Sequence, residues 1–177
     1  MDDLQILIRP LSDSDTDALV EAVRLSAESL QKWASWYHPA YGPEDARLWL
    51  AHCAQQWASG RDREFAVDDA QSGKLIGSVG ISQINTIHHF GNLAYWTAAA
   101  HCNRGVASRA ARLALEFAFE NMGLTRVEVV VRTDNVASQR VAQNIGARLE
   151  GTARNRIFFK DSPLDALMYS VVATDLR

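Results

Sequence analysis

Hydrophobic and polar positions alternate with different periods along this chain, and the changes of period predict its elements. Short runs rich in β-branched and aromatic residues predict strands, whereas apolar residues spaced by three and four positions predict helices. The predicted strands cover residues 5–10, 64–68, 75–82, 92–98, 126–132, 147–152 and 166–172. The predicted helices cover residues 16–30, a stretch that starts near Pro43, residues 106–122 and residues 136–145. This order of elements predicts a mixed α/β sheet flanked by helices.

Glycines mark the ends of several predicted elements. Gly73 predicts a hairpin turn between the second and third strands, and Gly123 and Gly146 stand where the last two helices need a C-terminal cap. Apolar spacing also predicts which helix faces are buried. The buried stripe near Pro43 is Leu50, Cys53, Ala54 and Trp57, and that of the long helix is Val106, Ala110, Leu113, Ala114, Phe117 and Ala118.

The composition predicts a single domain over residues 1–177 that acts in the cytoplasm. Of the residues, 47% are hydrophobic and 22% are charged, as is usual for globular proteins. The net charge of −3 argues against a nucleic-acid partner, because such an interface needs a basic surface. Cys53 and Cys102 have no metal-ligand spacing, which predicts free thiols, a reducing compartment and no metal site. Neither a signal-peptide pattern nor an apolar run long enough to span a bilayer is found, so no membrane attachment is expected.

The turn at residues 103–108 carries the most specific chemistry in the chain. It begins the long helix, whose first N–H groups have no partner within the helix. Gly105 and Ala107 leave room for a phosphate to approach those groups. Three arginines add positive charge nearby: Arg104, Arg109 and Arg112. The turn predicts a diphosphate site, with an ordinary helix start as the alternative.

The same turn resembles the acetyl-CoA signature of the GNAT acetyltransferases, which is written Q/R-x-x-G-x-G/A. Gly105 and Ala107 occupy its last two defined positions, and Cys102 stands where Gln or Arg is usual. Four further segments resemble the RimJ/RimL-like branch of the family, which contains ribosomal-protein N-terminal acetyltransferases. They are residues 30–36 with two tryptophans, residues 124–128, the N-x-x-S…G-A-x-x-E-G pattern over residues 135–151, and the D-x-x-x-Y motif over residues 165–169.

The resemblance implies a mixed, mostly antiparallel sheet flanked by helices, with splayed central strands that form an acetyl-CoA cleft. It implies that Asn135 binds the pantetheine arm or an ordered water beside it. It also implies that Ser138 protonates the departing thiolate, with helix capping as the alternative for both residues. It also implies an oxyanion contact from a backbone N–H near Trp96 or Thr97. The residues implied to bind acetyl-CoA are Trp96, Thr97, Ala98, Asn103, Arg104, Gly105, Val106, Ala107, Ser108, Asn135 and Ser138.

The group that accepts the proton of the amine is left open by the sequence. At the two positions where relatives carry a carboxylate, this chain has Asn92 and Ile157, and neither side chain accepts a proton. The histidines at residues 88–89 are candidates, with His89 as the catalytic choice, and a plain surface turn is the alternative. A water relay is a second possibility. Glu128 is a third, unless it only pairs with a neighbouring arginine.

The leading functional hypothesis is acetyl transfer from acetyl-CoA to a primary amine, either a protein N-terminus or a small molecule. The aromatic residues Trp33, Trp36, Tyr37 and Tyr41 are candidates for the acceptor site, with packing against the sheet as the alternative. A catalytically silent acyl-CoA-binding module is a competing hypothesis, kept open by the missing carboxylates. A nucleotide-dependent enzyme is a weaker one, because the usual nucleotide motifs are absent from the sequence. The family resemblance also implies a homodimer.

Overall fold

The computed structural model describes residues 5–176 and confirms the predicted mixed α/β class. Its strands are β1 (Ile6–Pro10), β2 (Arg63–Asp69), β3 (Leu75–Asn85), β4 (Phe90–Thr97), β5 (Arg126–Arg132), β6 (Arg148–Phe159) and β7 (Ser162–Val171). Its α-helices are α1 (Thr16–Leu25), α2 (Ala27–Trp33), α3 (Pro43–Ala58), α4 (Val106–Glu120) and α5 (Val136–Asn144). Single turns of 3-10 helix lie at Asp13–Asp15, Ala99–His101 and Ala173–Leu176.

The strands form one sheet in the order β1-β2-β3-β4-β5-β7-β6. Neighbouring strands are antiparallel except β4 and β5, which run parallel. A parallel pair needs a crossover connection, and α4 provides it. β4 and β5 pair only over residues 90–92 and 126–128, and their remaining lengths diverge. The mostly antiparallel sheet with splayed central strands is therefore confirmed.

Helices cover both faces of the sheet. Because strand side chains alternate between the two faces, Phe65 and Val67 pack in the cluster with α4, whereas Ala66 packs in the cluster with α1 and α3. Glu64 is two positions from Ala66 and shares its face, where it lies beside Cys53 of α3. The sheet thus carries a carboxylate on its α3 side, close to the strands that splay.

The helix predicted over residues 16–30 is two helices that meet at Ser26. The buried Ser26 hydroxyl donates to the carbonyl of Ala22 (2.7 Å) and accepts from the backbone N–H of Ala99 (3.0 Å). A serine hydroxyl that bonds a carbonyl one turn back competes with the helical hydrogen bonds and bends the helix. The break gives α2 its own direction, and its last residue, Trp33, lies in the cavity described below.

The buried faces of two helices differ in part from the predicted ones. In α4, Ala111 and Leu115 are fully buried, whereas Leu113 and Phe117 lie half-buried at the edge of the face. In α3, the predicted Ala54 is exposed. The buried stripe of α3 is instead Ala46, Leu50 and Cys53, which are spaced by four and three positions.

The predicted ends of elements are mostly correct. Gly73, Gly123 and Gly146 have positive φ values of 66°, 66° and 83°, which confirms the hairpin turn and the two helix ends. The predicted strands over residues 147–152 and 166–172 belong to a longer hairpin of β6 and β7. The remaining part of β6 was not predicted, because most of this strand is exposed and its sequence does not alternate between apolar and polar residues.

Candidate active site

The gap between β4 and β5 is the central feature of the molecule. The two strands pair as far as Asn92 and Glu128, although β4 continues to Thr97 and β5 to Arg132. Their diverging ends line a cavity of about 930 Å³. A cavity of this size accommodates a ligand as large as a typical cofactor.

The diverging end of β4 directs backbone N–H groups toward this gap. The N–H of Ala98 donates to the carbonyl of Ile76 on β3 (2.8 Å). N–H groups along a strand alternate between its two sides, so Trp96 also points its N–H toward β3. Tyr95 and Thr97 point theirs to the side of β5. Of the two N–H groups predicted near the reacting carbonyl, that of Thr97 faces the gap.

The turn before α4 lies on the same cavity. Gly105 is the N-cap residue with φ of 75°, a left-handed conformation that favours glycine. Since glycine has no capping side chain, it leaves the first N–H groups of α4 open to a ligand. Val106, Ala107 and Ser108 line the cavity, and all three are small or medium in size. The start of α4 therefore has the open N–H groups that an anion site requires.

The arginines near this turn hold the backbone in place. The Arg109 guanidinium donates to the carbonyl of Arg104 (2.8 Å), and Arg112 donates to the carbonyl of Asn144 at the end of α5. Cys102 lines the cavity, and its thiol points to the carbonyl of Thr97 (3.6 Å). The small thiol at the position usually held by Gln or Arg thus adds no charge to the cavity.

Two hydroxyl groups meet where α5 faces β4. The hydroxyl oxygens of Tyr95 and Ser138 are 2.8 Å apart, and the Tyr95 hydroxyl also donates to the Ser138 carbonyl (3.2 Å). Burial raises the pKa of Tyr95 to about 12. Asn135 caps α5, because its side-chain oxygen accepts from the Ser138 N–H (3.1 Å). The capping alternative holds for Asn135, whereas the Ser138 hydroxyl is engaged with Tyr95 instead.

Most of the residues predicted to bind acetyl-CoA line this one cavity. They are Trp96, Thr97, Asn103, Gly105, Val106, Ala107, Ser108, Asn135 and Ser138. Ala98 is buried with its N–H bonded to β3, and Arg104 is exposed beside the turn, so these two lie outside the cavity wall.

The structure does not bring the predicted catalytic His89 to the cavity. His89 lies in the exposed turn between β3 and β4, and its carbonyl accepts from the N–H of Thr125 (2.8 Å). This turn adjoins the end of β4 that pairs with β5, whereas the cavity opens at the other end. His88 is exposed in the same turn. The surface-turn alternative describes both histidines.

The two positions at which relatives carry a carboxylate do face the cavity, since Asn92 and Ile157 both line it. The side-chain oxygen of Asn92 is buried and accepts no hydrogen bond from any residue between 5 and 176. Glu128 instead accepts a hydrogen bond from Arg126 (3.1 Å), which also donates to Glu150 (2.8 Å). The Arg126 hydrogen bond lowers the pKa of Glu150 to about 2. The ion-pair alternative for Glu128 is confirmed.

A carboxylate that the sequence interpretation missed lies on the cavity wall. Glu64 of β2 is partly buried, and this burial raises its pKa to about 7 although the Ser78 hydroxyl donates to it. Its carboxyl group lies over Gly80 of β3, where an added Cβ would meet a Glu64 oxygen at 1.7 Å. In the sequence, Glu64 was recognisable only as a lone acidic residue at the start of a buried strand. That Gly80 makes room for its carboxyl group follows only from the strand register.

Aromatic side chains form the outer wall of the cavity. Trp36 is 46% exposed and packs edge-on to Trp96, with 6.2 Å between ring centroids, and beside Tyr41 at 5.8 Å. Trp33 also lines the cavity. Tyr37, which was the third candidate for the acceptor site, packs against the cluster of α1 and α3 instead. Tyr41, the fourth candidate, lines the cavity with Trp33 and Trp36.

Other features bear on the kind of site. Within residues 5–176, no group of three His, Cys, Asp or Glu residues is arranged to hold a metal ion. None of the helices in that range combines the length and the apolar character that crossing a membrane requires. Cys53 is buried and Cys102 is exposed, and both are free thiols, as predicted.

Comparison with known proteins gives consistent matches. A sequence profile described as the acetyltransferase (GNAT) domain matches residues 5–148. The Bacillus subtilis protein named "Putative ribosomal N-acetyltransferase YdaF" is 25% identical over 173 residues, which cover 94% of this chain and 91% of YdaF. A Vibrio cholerae structure described as "a putative ribosomal-protein-serine acetyltransferase" is 26% identical, with a TM-score of 0.83 and coverage of 95% and 94%. Mycobacterium smegmatis RimJ in complex with CoA-disulfide has a TM-score of 0.87 at 20% identity, with coverage of 97% and 83%.

Proposed function

Because the chain belongs to the acetyltransferase (GNAT) family and is an N-acetyltransferase, we propose that it moves the acetyl group of acetyl-CoA directly to a primary amine. The observation that carries the proposal is the shared cavity. The splayed ends of β4 and β5 and the open start of α4 line one space. Such a space suits a long substrate with phosphates at one end and a thioester at the other. M. smegmatis RimJ, which has a similar fold, is in complex with a CoA disulfide. The matched family and relatives disfavour both a silent binder and a nucleotide-dependent enzyme.

We assign the pyrophosphate of acetyl-CoA to the start of α4. The N–H groups of Val106, Ala107 and Ser108 are the unpaired first donors of the helix, and Gly105 lets the phosphate oxygens approach them. The helix dipole adds roughly 0.3–1 kcal/mol for a negative charge at this end. The pantetheine arm then runs past Asn135 into the gap between the strands.

The chemistry at the other end follows from β4 and α5. The free N–H groups of Tyr95 and Thr97 are suited to stabilise the negative charge that develops on the acetyl oxygen. The amine nitrogen attacks the carbonyl carbon, the C–S bond breaks, and the thiolate leaves. The Ser138 hydroxyl, 2.8 Å from that of Tyr95, donates a proton to the sulfur. The proton that the acylated nitrogen loses restores this hydroxyl.

The acceptor that we propose is a protein N-terminus or a small primary amine. The half-exposed Trp36 and its neighbours Trp33 and Tyr41 line an open side of the cavity on which a peptide or an alkyl chain can lie. YdaF and the V. cholerae protein are named for ribosomal proteins, so an N-terminal peptide is the first acceptor to test. We further propose that the protein acts in the cytoplasm as a homodimer without a nucleic-acid partner.

Thermal unfolding tests the acetyl-CoA assignment. A ligand at 100 times its Kd stabilises the folded state by about 2.7 kcal/mol, which for a protein of this size raises Tm by roughly 5–10 °C. Acetyl-CoA is expected to produce such a shift, whereas ATP and NAD are not. The absence of a shift at millimolar acetyl-CoA contradicts the assignment.

Release of free CoA thiol tests the transfer. The protein is incubated with acetyl-CoA and either a short peptide with an N-terminal serine or a linear polyamine, and the released thiol is measured against an acceptor-free control. At least one of these amines is expected to accelerate the release. If a wider panel of primary amines also leaves the rate at the acceptor-free level, the proposed transfer is wrong even where binding is observed.

A further inference from the structure

We propose that Glu64 takes the proton of the acceptor amine and returns it to solvent through a small chamber behind the cavity wall. This inference rests on the acetyl transfer proposed above and assigns its missing proton acceptor. The two usual carboxylate positions, Asn92 and Ile157, both reach the cavity as neutral residues.

Strand register brings Glu64 close to the splayed strand. Glu64 of β2 is opposite Gly80 of β3, and Gly80 is opposite Ala94 of β4. Because Gly80 has no side chain, the Glu64 carboxyl lies over β3, at the place where a Cβ would be 1.7 Å from its oxygen. Neighbouring strands are about 4.8 Å apart, so the carboxyl lies about one strand spacing from β4. The small Ala94 leaves the path from the cleft open.

A second oxygen acceptor lies on the same face of the sheet. Asn92 of β4 is opposite Ser82 of β3, and its buried side-chain oxygen accepts no hydrogen bond from residues 5–176. An ammonium group has three N–H donors and no acceptor. The Asn92 oxygen can hold one N–H of the acceptor while the Glu64 carboxylate receives the proton of another. An N–H of the bound acceptor can thus supply the hydrogen bond that no residue between 5 and 176 gives to the Asn92 oxygen.

Glu64 also borders a second, smaller space. A chamber of about 30 Å³ lies behind it, and Glu64, Ser82 and Trp49 line both this chamber and the main cavity. The chamber has room for one water molecule, which the Glu64 carboxyl and the Ser82 hydroxyl in its lining can bond. Its other walls include the exposed His52 and the partly buried Asp62. A proton on Glu64 can therefore leave by way of water, on the side away from the reacting centre.

The surroundings of Glu64 suit a group that accepts and releases protons near neutral pH. Burial is the main cause of its pKa of about 7, the Ser78 hydrogen bond lowers it, and the negative charge of Asp62 raises it. From α3, His52 and Cys53 face it, and burial raises the pKa of the Cys53 thiol to about 12, so that thiol stays neutral. The β4 residues on this face carry no charge. A base with a pKa near the working pH is the most effective.

The protons of the reaction balance with Glu64 in this role. The acceptor arrives as an ammonium ion, gives one proton to the Glu64 carboxylate and becomes a neutral amine. The amine attacks the thioester, the C–S bond breaks, and the second proton of the nitrogen reaches the sulfur by way of the Ser138 hydroxyl. Glu64 then releases its proton to water. The products are the amide, CoA with a free thiol, and one proton.

The substitution Glu64→Gln tests the proposal, because glutamine keeps the size and the Ser78 contact but cannot accept a proton. The kcat/KM of the wild type for a polyamine is expected to rise through about pH 7 and then level off. For E64Q, kcat/KM at pH 7 is expected to fall by about 100-fold or more. As pH increases, kcat/KM of E64Q should then rise tenfold per pH unit until the amine itself titrates near pH 10. The reason is that E64Q can use only the fraction of the amine that is already neutral. The acetyl-CoA Kd is expected to be unchanged.

Two further variants separate position from charge. Gly80→Ala displaces the carboxyl without removing it, and it is also expected to lower kcat/KM at pH 7. Glu128→Gln removes a carboxylate that is ion-paired outside the cavity, and it is expected to leave the pH profile unchanged. If E64Q and G80A both keep the wild-type profile, the role of Glu64 is overturned while the proposed transfer stands. If E64Q does not fold, the G80A profile decides. If the wild type acetylates no amine at all, both proposals fail.

Discussion

At the scale of single residues, the pairing of Tyr95 with Ser138 defines the reactive end of the cavity. The two residues are 43 positions apart in the chain, and the divergence of β4 from β5 brings α5 close enough for their hydroxyls to meet at 2.8 Å. Because burial raises the pKa of Tyr95 to about 12, its hydroxyl keeps its proton at any pH at which the enzyme is assayed. A neutral Tyr95 hydroxyl therefore stays in contact with Ser138, which lines the cavity.

Removing the Ser138 hydroxyl is expected to slow transfer without weakening acetyl-CoA binding. Ser138→Ala should lower kcat by roughly 100-fold, because the thiolate then leaves without a proton donor. Tyr95→Phe should have a smaller effect, since the serine hydroxyl remains. The rate of thiol release gives kcat, and a separate binding measurement gives the acetyl-CoA Kd. Val136→Ala, at an exposed position of α5, is the matched control. Unchanged kcat in S138A would mean that another group protonates the sulfur.

The raised pKa of Glu64 also predicts that stability depends on pH, which can be measured independently of activity. Its folded-state pKa is about 7, against an ordinary value of 4.5, so the folded protein binds the proton more tightly than the unfolded chain. The resulting stability is fully present below pH 4.5 and is lost as pH rises through about 7. The loss amounts to at most about 3 kcal/mol. Between pH 5 and pH 8, the free energy of unfolding measured in urea is expected to depend less on pH for Glu64→Gln than for the wild type. Parallel curves would contradict the raised pKa.

At the scale of elements, α4 and the turn before it were predictable because their signals are local. The apolar spacing, Gly105 and Gly123 lie within the element that they describe. The break at Ser26 was not predictable, because its hydroxyl accepts from Ala99, which lies in a distant part of the chain. The role of Glu64 was hidden for the same reason: the space for its carboxyl comes from Gly80 on another strand. Sequence patterns thus predicted what neighbours along the chain determine, and missed what neighbours across the sheet determine.

The start of α4 allows helix stability to be separated from phosphate binding. Ala107→Asp places a carboxylate in the first turn of α4, where the helix dipole favours negative charge by roughly 0.3–1 kcal/mol. The same carboxylate repels a bound pyrophosphate. The acetyl-CoA Kd is therefore expected to rise by at least about tenfold, which corresponds to about 1.4 kcal/mol, while Tm without ligand stays equal or rises. Ala107→Asn, which has the size of aspartate without its charge, is the matched control. A Kd that is unchanged in A107D would place the pyrophosphate elsewhere.

At the scale of the whole molecule, the sheet is made of two parts with a short junction. β1 to β4 form one part and β5, β7 and β6 the other, and β4 and β5 join them through three residue pairs. α4 spans the junction, because its buried side chains pack in one cluster with residues of β3 and β5. The proposed acetyl-CoA site lies where the sheet is open, so the substrate would take the place of the missing strand contacts.

Hydrogen exchange is expected to show whether acetyl-CoA binds between β4 and β5. Without ligand, the amides of Tyr95 and Thr97 point to the open gap and should exchange faster than their neighbours Ala94 and Trp96, whose N–H groups face β3. At 100 times its Kd, acetyl-CoA should slow exchange at residues 93–97 and 129–132 by up to about 100-fold, since exchange then requires the ligand-free state. β1, at the far edge of the sheet, serves as the internal reference and should change little. Protection confined to the β6–β7 hairpin would show that the substrate binds outside the gap, because only a ligand held between β4 and β5 contacts both parts of the sheet.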